Sequence, residues 1–175
     1  MEHKHLFILC PPASGSTLLW KILRTSPHVS ALPAEGQTLV PEILFTRARW
    51  NPDLPVPWDK VKEKWFTAWD LSKPILLEKS PSHLVRAGQL QHHFPASFFL
   101  VMMRNPYAVC EGIKRRWRKD LGYAAIARLW LTWAGQQASN RQQLHNVLSL
   151  SYEELRNADV EGVLSSLGHQ LAPVA

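Results

Sequence analysis

HLFILCPPASGSTLLWKILRTSP, residues 5–27, decides how this chain is read. The apolar run 6–10 stops at Pro11-Pro12 and reads as a buried strand. Ser16 or Thr17 is expected to cap the helix that follows, with Leu18, Leu19, Ile22 and Leu23 inward and Pro27 as its end. A strand, a tight loop and a helix in that order can gather backbone amides around an anion. Gly15 opens backbone conformations closed to other residues, so the amides of Gly15 to Leu18 can converge. The helix start adds a positive dipole end, and Ser14, Ser16 and Thr17 add hydroxyl donors. The nucleoside triphosphate pattern G-x-x-x-x-G-K-[ST] is absent, because Ser16 stands where its lysine would be. On these residues alone, a serine-rich capped turn is an equally good reading.

Working outward, further strands are expected at 75–77, 97–104 and 147–151. Helices are expected over 38–49, 59–70, 82–93, 106–119, 123–145, 152–156 and 160–168, with Pro106 in a first turn. The 123–145 helix should bury Ile126, Ala127, Trp130, Leu131 and Ala134. Residues 28–37 read as irregular, and 50–58, with three prolines, as a loop. Strands alternating with helices give an α/β class: a P-loop-like parallel sheet flanked by helices, one domain over 1–175. Ligands of such sheets bind outside the carboxyl ends of the strands. Ser14–Thr17, Glu78–Lys79 and Arg104 all fall there.

Composition narrows the partners only a little. The net charge of +6 suits an anionic ligand, and equally nucleic acid or plain solubility. No nucleic-acid reading motif is present, so nucleic acid is not expected. Cys10 and Cys110 should be free buried thiols, and the histidines lack metal-ligand spacing, so no metal is expected. The first apolar run is too short for a signal peptide and no later stretch spans a bilayer, so a cytoplasmic protein is expected. Most of the eight tryptophans should serve the core.

Each candidate residue has a chemical reading and a plain one. Arg104 after an apolar strand suits a phosphate, its fork donating two hydrogen bonds, or is a loop cation. Lys79 can neutralise charge building on a leaving oxygen; Glu78 orients it or pairs with it, as exposed Glu-Lys doublets do. Glu35, in a loop expected near Ser14–Thr17, can take a proton from an attacking hydroxyl or is a surface glutamate.

In this order the segments resemble the sulfotransferases that use 3′-phosphoadenosine 5′-phosphosulfate (PAPS). PPASGSTLL resembles their 5′-phosphosulfate loop, P-[KR]-S-G-[ST]-[ST]-x-[LW]; FFLVMMRNPYAVCEGIKRR resembles their 3′-phosphate segment; LSYEEL resembles a further strand–helix junction. AEGQTLVPEIL and ILLEKSP resemble the tyrosylprotein type and its bacterial branch, the latter also the heparan sulfotransferases. The resemblance spans about 5–156. It implies in-line transfer of a sulfuryl group to an acceptor hydroxyl or amine, on a small molecule, sugar or peptide. It assigns Ala13, Ser14, Gly15, Ser16, Thr17, Leu18, Arg104 and Gly112 to the donor, Lys79 to the transferring sulfonate and Glu35 to the general base. Three departures mark this chain: Ala13 replaces a usual Lys or Arg, Gly112 a usual serine, and no G-x-x-G-x-W-K-like segment follows SYEEL. A non-catalytic PAPS or anion binder of the same fold, or a P-loop small-molecule kinase, is the alternative.

Overall fold

The structure, a computed structural model, describes residues 2–157 and 168. Five parallel strands form one sheet in the order β2-β3-β1-β4-β5. They are β1 Lys4–Leu9, β2 Val29–Ala31, β3 Ile75–Lys79, β4 Ser97–Met103 and β5 Val147–Ser151. Between them lie α1 Ser16–Leu23, α2 Gly36–Leu39, α3 Pro41–Leu44, α4 Trp58–Ala68, α5 Ala87–His93, α6 Pro106–Arg116, α7 Tyr123–Gln143 and α8 Tyr152–Asn157. A 3₁₀ turn, Pro81–Val85, precedes α5.

Strand alternation divides the core in two. Phe7, Leu9, Leu76, Phe99 and Val101 face the tryptophan layer of α4, with Trp58, Trp65 and Trp69 buried among them. Leu6, Ile8, Leu77, Leu100, Met102 and Leu150 face Leu19 and Leu23 of α1. Strands covered on both faces are apolar throughout, which is why β1 and β4 read as unbroken runs.

Several expectations need correction. Four strands were expected and the described residues hold five. β2 lies in the stretch read as irregular, held to β3 with Ala31 opposite Leu77. The 38–49 helix is two single turns, α2 and α3, and the 82–93 helix is the 3₁₀ turn followed by α5. The first helix ends at Leu23, before Pro27; Leu19 and Leu23 are buried, whereas Leu18 is exposed. Gly15 is its N-cap and no side chain caps it, so neither Ser16 nor Thr17 takes that role. On α7 the buried positions are Ile126, Gln137 and Asn140, while Leu131 is 62% exposed and Ala127 also faces out. The inward polar pair has a purpose: Gln137 Nε2 donates to the carbonyls of Leu9 (2.8 Å) and Met102 (3.3 Å), and Asn140 Nδ2 to that of Leu84 (2.8 Å). Backbone acceptors under α7 outrank its apolar stripe. The helical piece expected over 160–168 lies outside the described residues except Gly168.

Candidate functional site at the carboxyl edge of the sheet

β1 runs straight into the anion-loop sequence. Gly15 has φ +85, and a Cβ there would stand 2.3 Å from the Tyr152 ring, so only glycine fits both the turn and the contact. Ala13 also has positive φ, at 63. The first amides of a helix lack the usual intrahelical acceptor, and no side chain caps α1; the Leu18 amide turns back to the Gly15 carbonyl (2.9 Å). Ser14 is 1% exposed, yet its Oγ has no hydrogen-bond partner among the described residues. Thr17 and Leu18 are exposed. Burial pushes the Cys10 thiol at the loop's root up to about 11, partly offset by the Ser16 hydroxyl.

Arg104 lies across the loop from the end of β4. Its Nη1 donates to the Ala13 carbonyl (3.1 Å) and its guanidinium sits 4.3 Å from the Tyr152 ring centroid. Its Nε, also buried, has no partner among the described residues. Asn105 caps α6, accepting from the amides of Tyr107 (3.0 Å) and Ala108 (3.4 Å). Arg104, Tyr152, Glu153 and Arg156 line a cavity of about 340 Å³. Two of the departures meet here: a Cβ on Gly112 would lie 3.2 Å from the Ala13 Cβ.

Lys79 ends β3 level with Ile8 of β1, next to the loop. Its Nζ lies 2.5 Å from Glu35 Oε1. Glu35 arrives there because β2 carries the chain up beside β3, which makes the unforeseen strand the element that delivers it. Glu35 and Lys79 are therefore together, as are Ala13, Arg104 and Gly112; Gly15 packs under Tyr152.

Glu78 departs from its expected reading. Alternation turns it away from Lys79 to the opposite face, where it is fully buried rather than a solvated partner. Its Oε1 accepts from the Gly36 amide (3.0 Å) and Ser80 Oγ (2.5 Å), and its Oε2 pairs with His83 Nδ1 (2.8 Å). Gly36 is squeezed between Trp65 and Glu78, where a Cβ would meet them at 2.6 and 2.7 Å. Sequence reasoning also passed over Tyr152, Ser80, Ser82, His83 and Gln37. One signal was there to read: S-x-x-E at Ser151–Glu154 is a capping box, with Glu154 Oε2 accepting from the Ser151 amide (2.7 Å). That bond and a hydrogen bond from the Ser151 hydroxyl to the carboxylate hold the Glu154 carboxyl below its usual range.

Among the described residues no helix is long and apolar enough to cross a membrane, and no group of three His, Cys, Asp or Glu is placed to hold a metal.

Comparison with known proteins bears on the family and the fold. The model of the sulfotransferase family matches residues 65–171, more than half of the chain. No curated protein matches it by sequence. Among solved structures, a sulfotransferase domain from the curacin biosynthetic pathway is similar at TM-score 0.65 and 21% identity, covering 98% of this chain and 74% of that one. Sulfotransferase STF1 from Mycobacterium tuberculosis gives 0.69 at 14%, covering 98% and 68%. Mouse sulfotransferase SULT7A1, solved in complex with PAP, gives 0.61 at 14%, covering 98% and 60%. These likenesses establish the fold, and the family match says what carries it: the chain belongs to the sulfotransferase family.

Proposed function

We propose that residues 1–175 form one sulfotransferase-like domain that moves a sulfuryl group from PAPS to an acceptor hydroxyl or amine, in the cytoplasm. The observation that carries this reading is the Lys79–Glu35 contact of 2.5 Å beside an uncapped anion loop, on a chain of this family.

The loop suits an anionic donor. Ser14 Oγ and Arg104 Nε, with no partner among the described residues, are buried donors that suit acceptors, and a buried donor left unpaired costs about 1–3 kcal/mol. The amides at the start of α1 and the Ser14, Ser16 and Thr17 hydroxyls hold the 5′ end, with Ala13 and Leu18 lining it. Arg104 holds the 3′-phosphate, with Gly112 beside it. PAPS supplies a sulfuryl group already joined to a stable leaving group. Lys79 stands for charge on the departing 5′-phosphate oxygen, which keeps the electron pair of the broken S–O bond. Glu35 accepts the proton of the acceptor hydroxyl or amine as the new bond to sulfur forms. The acceptor is a small molecule, sugar or peptide.

A second reading, a donor-site binder without turnover, draws on one observation: Ala13 and Gly112 pack against each other where a cation and a hydroxyl stand in the family pattern. One assay separates them. PAP release from PAPS is followed with a phenol, a sugar and a tyrosine-containing peptide as probe acceptors. Turnover that vanishes in Lys79→Ala supports the transferase. PAP binding with intact PAPS in every reaction supports the binder.

A further inference from the structure

Glu35 is gripped on both oxygens. Lys79 Nζ meets Oε1 at 2.5 Å, and Gln37 Nε2 donates to Oε2 at 2.6 Å. We propose that Gln37 is a positioning residue for the transfer reaction, fixing the plane of the Glu35 carboxylate against Lys79. This rests on the reading of Glu35 as the base.

Gln37 is 4% exposed and every polar group it carries toward the site is tied down. Its Oε1 accepts from Ser82 Oγ (2.7 Å), and its backbone amide donates to Ser80 Oγ (3.0 Å). Ser80 passes its own proton to Glu78 Oε1, which also accepts from the Gly36 amide. Consecutive amides after Glu35 are thus fastened to the end of β3 and to the turn after it. Trp65 Nε1 closes the far side on the Gly36 carbonyl (3.1 Å). The chain of bonds runs from the fully buried Glu78–His83 pair to the tip of Gln37, and ends at the base.

The chemistry favours such a device. A carboxylate held by one lysine can swing about that contact, and a base displaced by about 1 Å can lose roughly a hundredfold in rate. A second donor on the other oxygen fixes the plane and leaves the remaining lone pairs for the acceptor's proton. A network that merely held the turn together would need the two backbone amides alone. The Gln37 side chain goes further: anchored on Ser82 of the 3₁₀ turn, it reaches Glu35 Oε2 and orients the carboxylate.

The test compares the wild type with Gln37→Met, which keeps length and loses the donors, and with Ser82→Ala, which loosens Gln37 without touching Glu35. The first readout needs no turnover: hydrogen exchange of the Lys79 ammonium by side-chain ¹⁵N NMR. Exchange about tenfold faster in Gln37→Met, and less so in Ser82→Ala, is the expected result for a charge-assisted hydrogen bond lost from the pair. The second is PAP release from PAPS, where kcat should fall about tenfold in Gln37→Met with the KM for PAPS within about twofold. Should Gln37→Met fail to fold, Ser82→Ala decides by both readouts. Lys79 exchange equal to wild type in the folded variants overturns the proposal, as does an unchanged kcat. A wild type that neither binds PAP nor consumes PAPS defeats the transferase reading instead, and the exchange comparison still decides whether Gln37 orients Glu35.

Discussion

The two ends of the site are built on opposite plans. Around Glu35 most polar groups are paired: Lys79, Gln37, Ser80, Ser82, Glu78 and His83 form a connected, mostly buried network, with His83 Nε2 left without a partner among the described residues. Around the loop at 11–18 the donors are left open: α1 has no side-chain cap, and Ser14 Oγ and Arg104 Nε have no partner among the described residues. On the proposed reading, the proton-handling end is largely wired before any ligand arrives, whereas the anion-holding end keeps donors that a ligand would complete. Damage should therefore look different at each end. Substitutions at the wired end should harm stability or turnover, and removing donor groups at the open end should harm binding while sparing the fold.

The largest effect belongs to Lys79→Ala. PAP release from PAPS should fall by roughly 10²–10³, the scale of removing one transition-state donor. PAP affinity should stay within a few-fold of wild type by calorimetry, and a variant that keeps its turnover removes Lys79 from the chemistry.

Gly36→Ala and Gly15→Ala sharpen the contrast because both add one methyl to a crowded glycine. At Gly36 the new Cβ runs into Trp65 and Glu78, so urea unfolding should show a loss of about 1–3 kcal/mol. At Gly15 the residue also keeps φ +85, adding about 1 kcal/mol of strain, and the Tyr152 ring must move. PAP binding should suffer more there than at Gly36; the reverse order would break the comparison.

Ser14→Ala is subtler. Removing a buried hydroxyl with no partner should leave the midpoint of urea unfolding unchanged or slightly raised. PAP affinity should drop roughly tenfold. A stability loss above about 1 kcal/mol would show that Ser14 is bonded after all.

The smallest effect is a pH dependence remote from both ends. His5 is buried among Phe66, Trp69 and Phe94, with Nδ1 on the Pro95 carbonyl at 2.8 Å. Desolvation lowers its pKa below the usual 6.5, so the folded state holds the ring neutral while the unfolded chain takes up a proton. Stability is thus fully present above about 6.5 and is lost as pH falls toward the lowered folded value. The Tm should drop between pH 7.5 and 5.5, and His5→Phe should flatten that drop.

The sequence disclosed much of this and hid the rest for physical reasons. β1 and β4 announced themselves because doubly covered strands are apolar and continuous. β2 did not, since Val29-Ser30-Ala31 is too short for any periodicity to register between Pro27 and Pro33. Lys79 and Glu35 were legible as candidates, yet their meeting depends on β2. Glu78 was misread as a solvated partner of Lys79, although strand alternation alone places adjacent residues on opposite faces. Its burial was not foreseeable, because the network that compensates it comes from α2 and the 3₁₀ turn. The inward face of α7 was read correctly at Ile126, but that reading missed Gln137 and Asn140, which serve carbonyls of β1, β4 and the 3₁₀ turn, a demand no apolar pattern records.

The measurement closest to the central claim is calorimetric titration with PAP, the stable product of PAPS, of the wild type and Arg104→Ala side by side. ATP with magnesium serves as the competing ligand. The account predicts PAP binding by the wild type, weakened roughly 10- to 100-fold in Arg104→Ala as a charge-assisted contact is lost, with no comparable binding of magnesium-ATP. A folded wild type that ignores PAP, or an Arg104→Ala variant that binds it equally well, would contradict it.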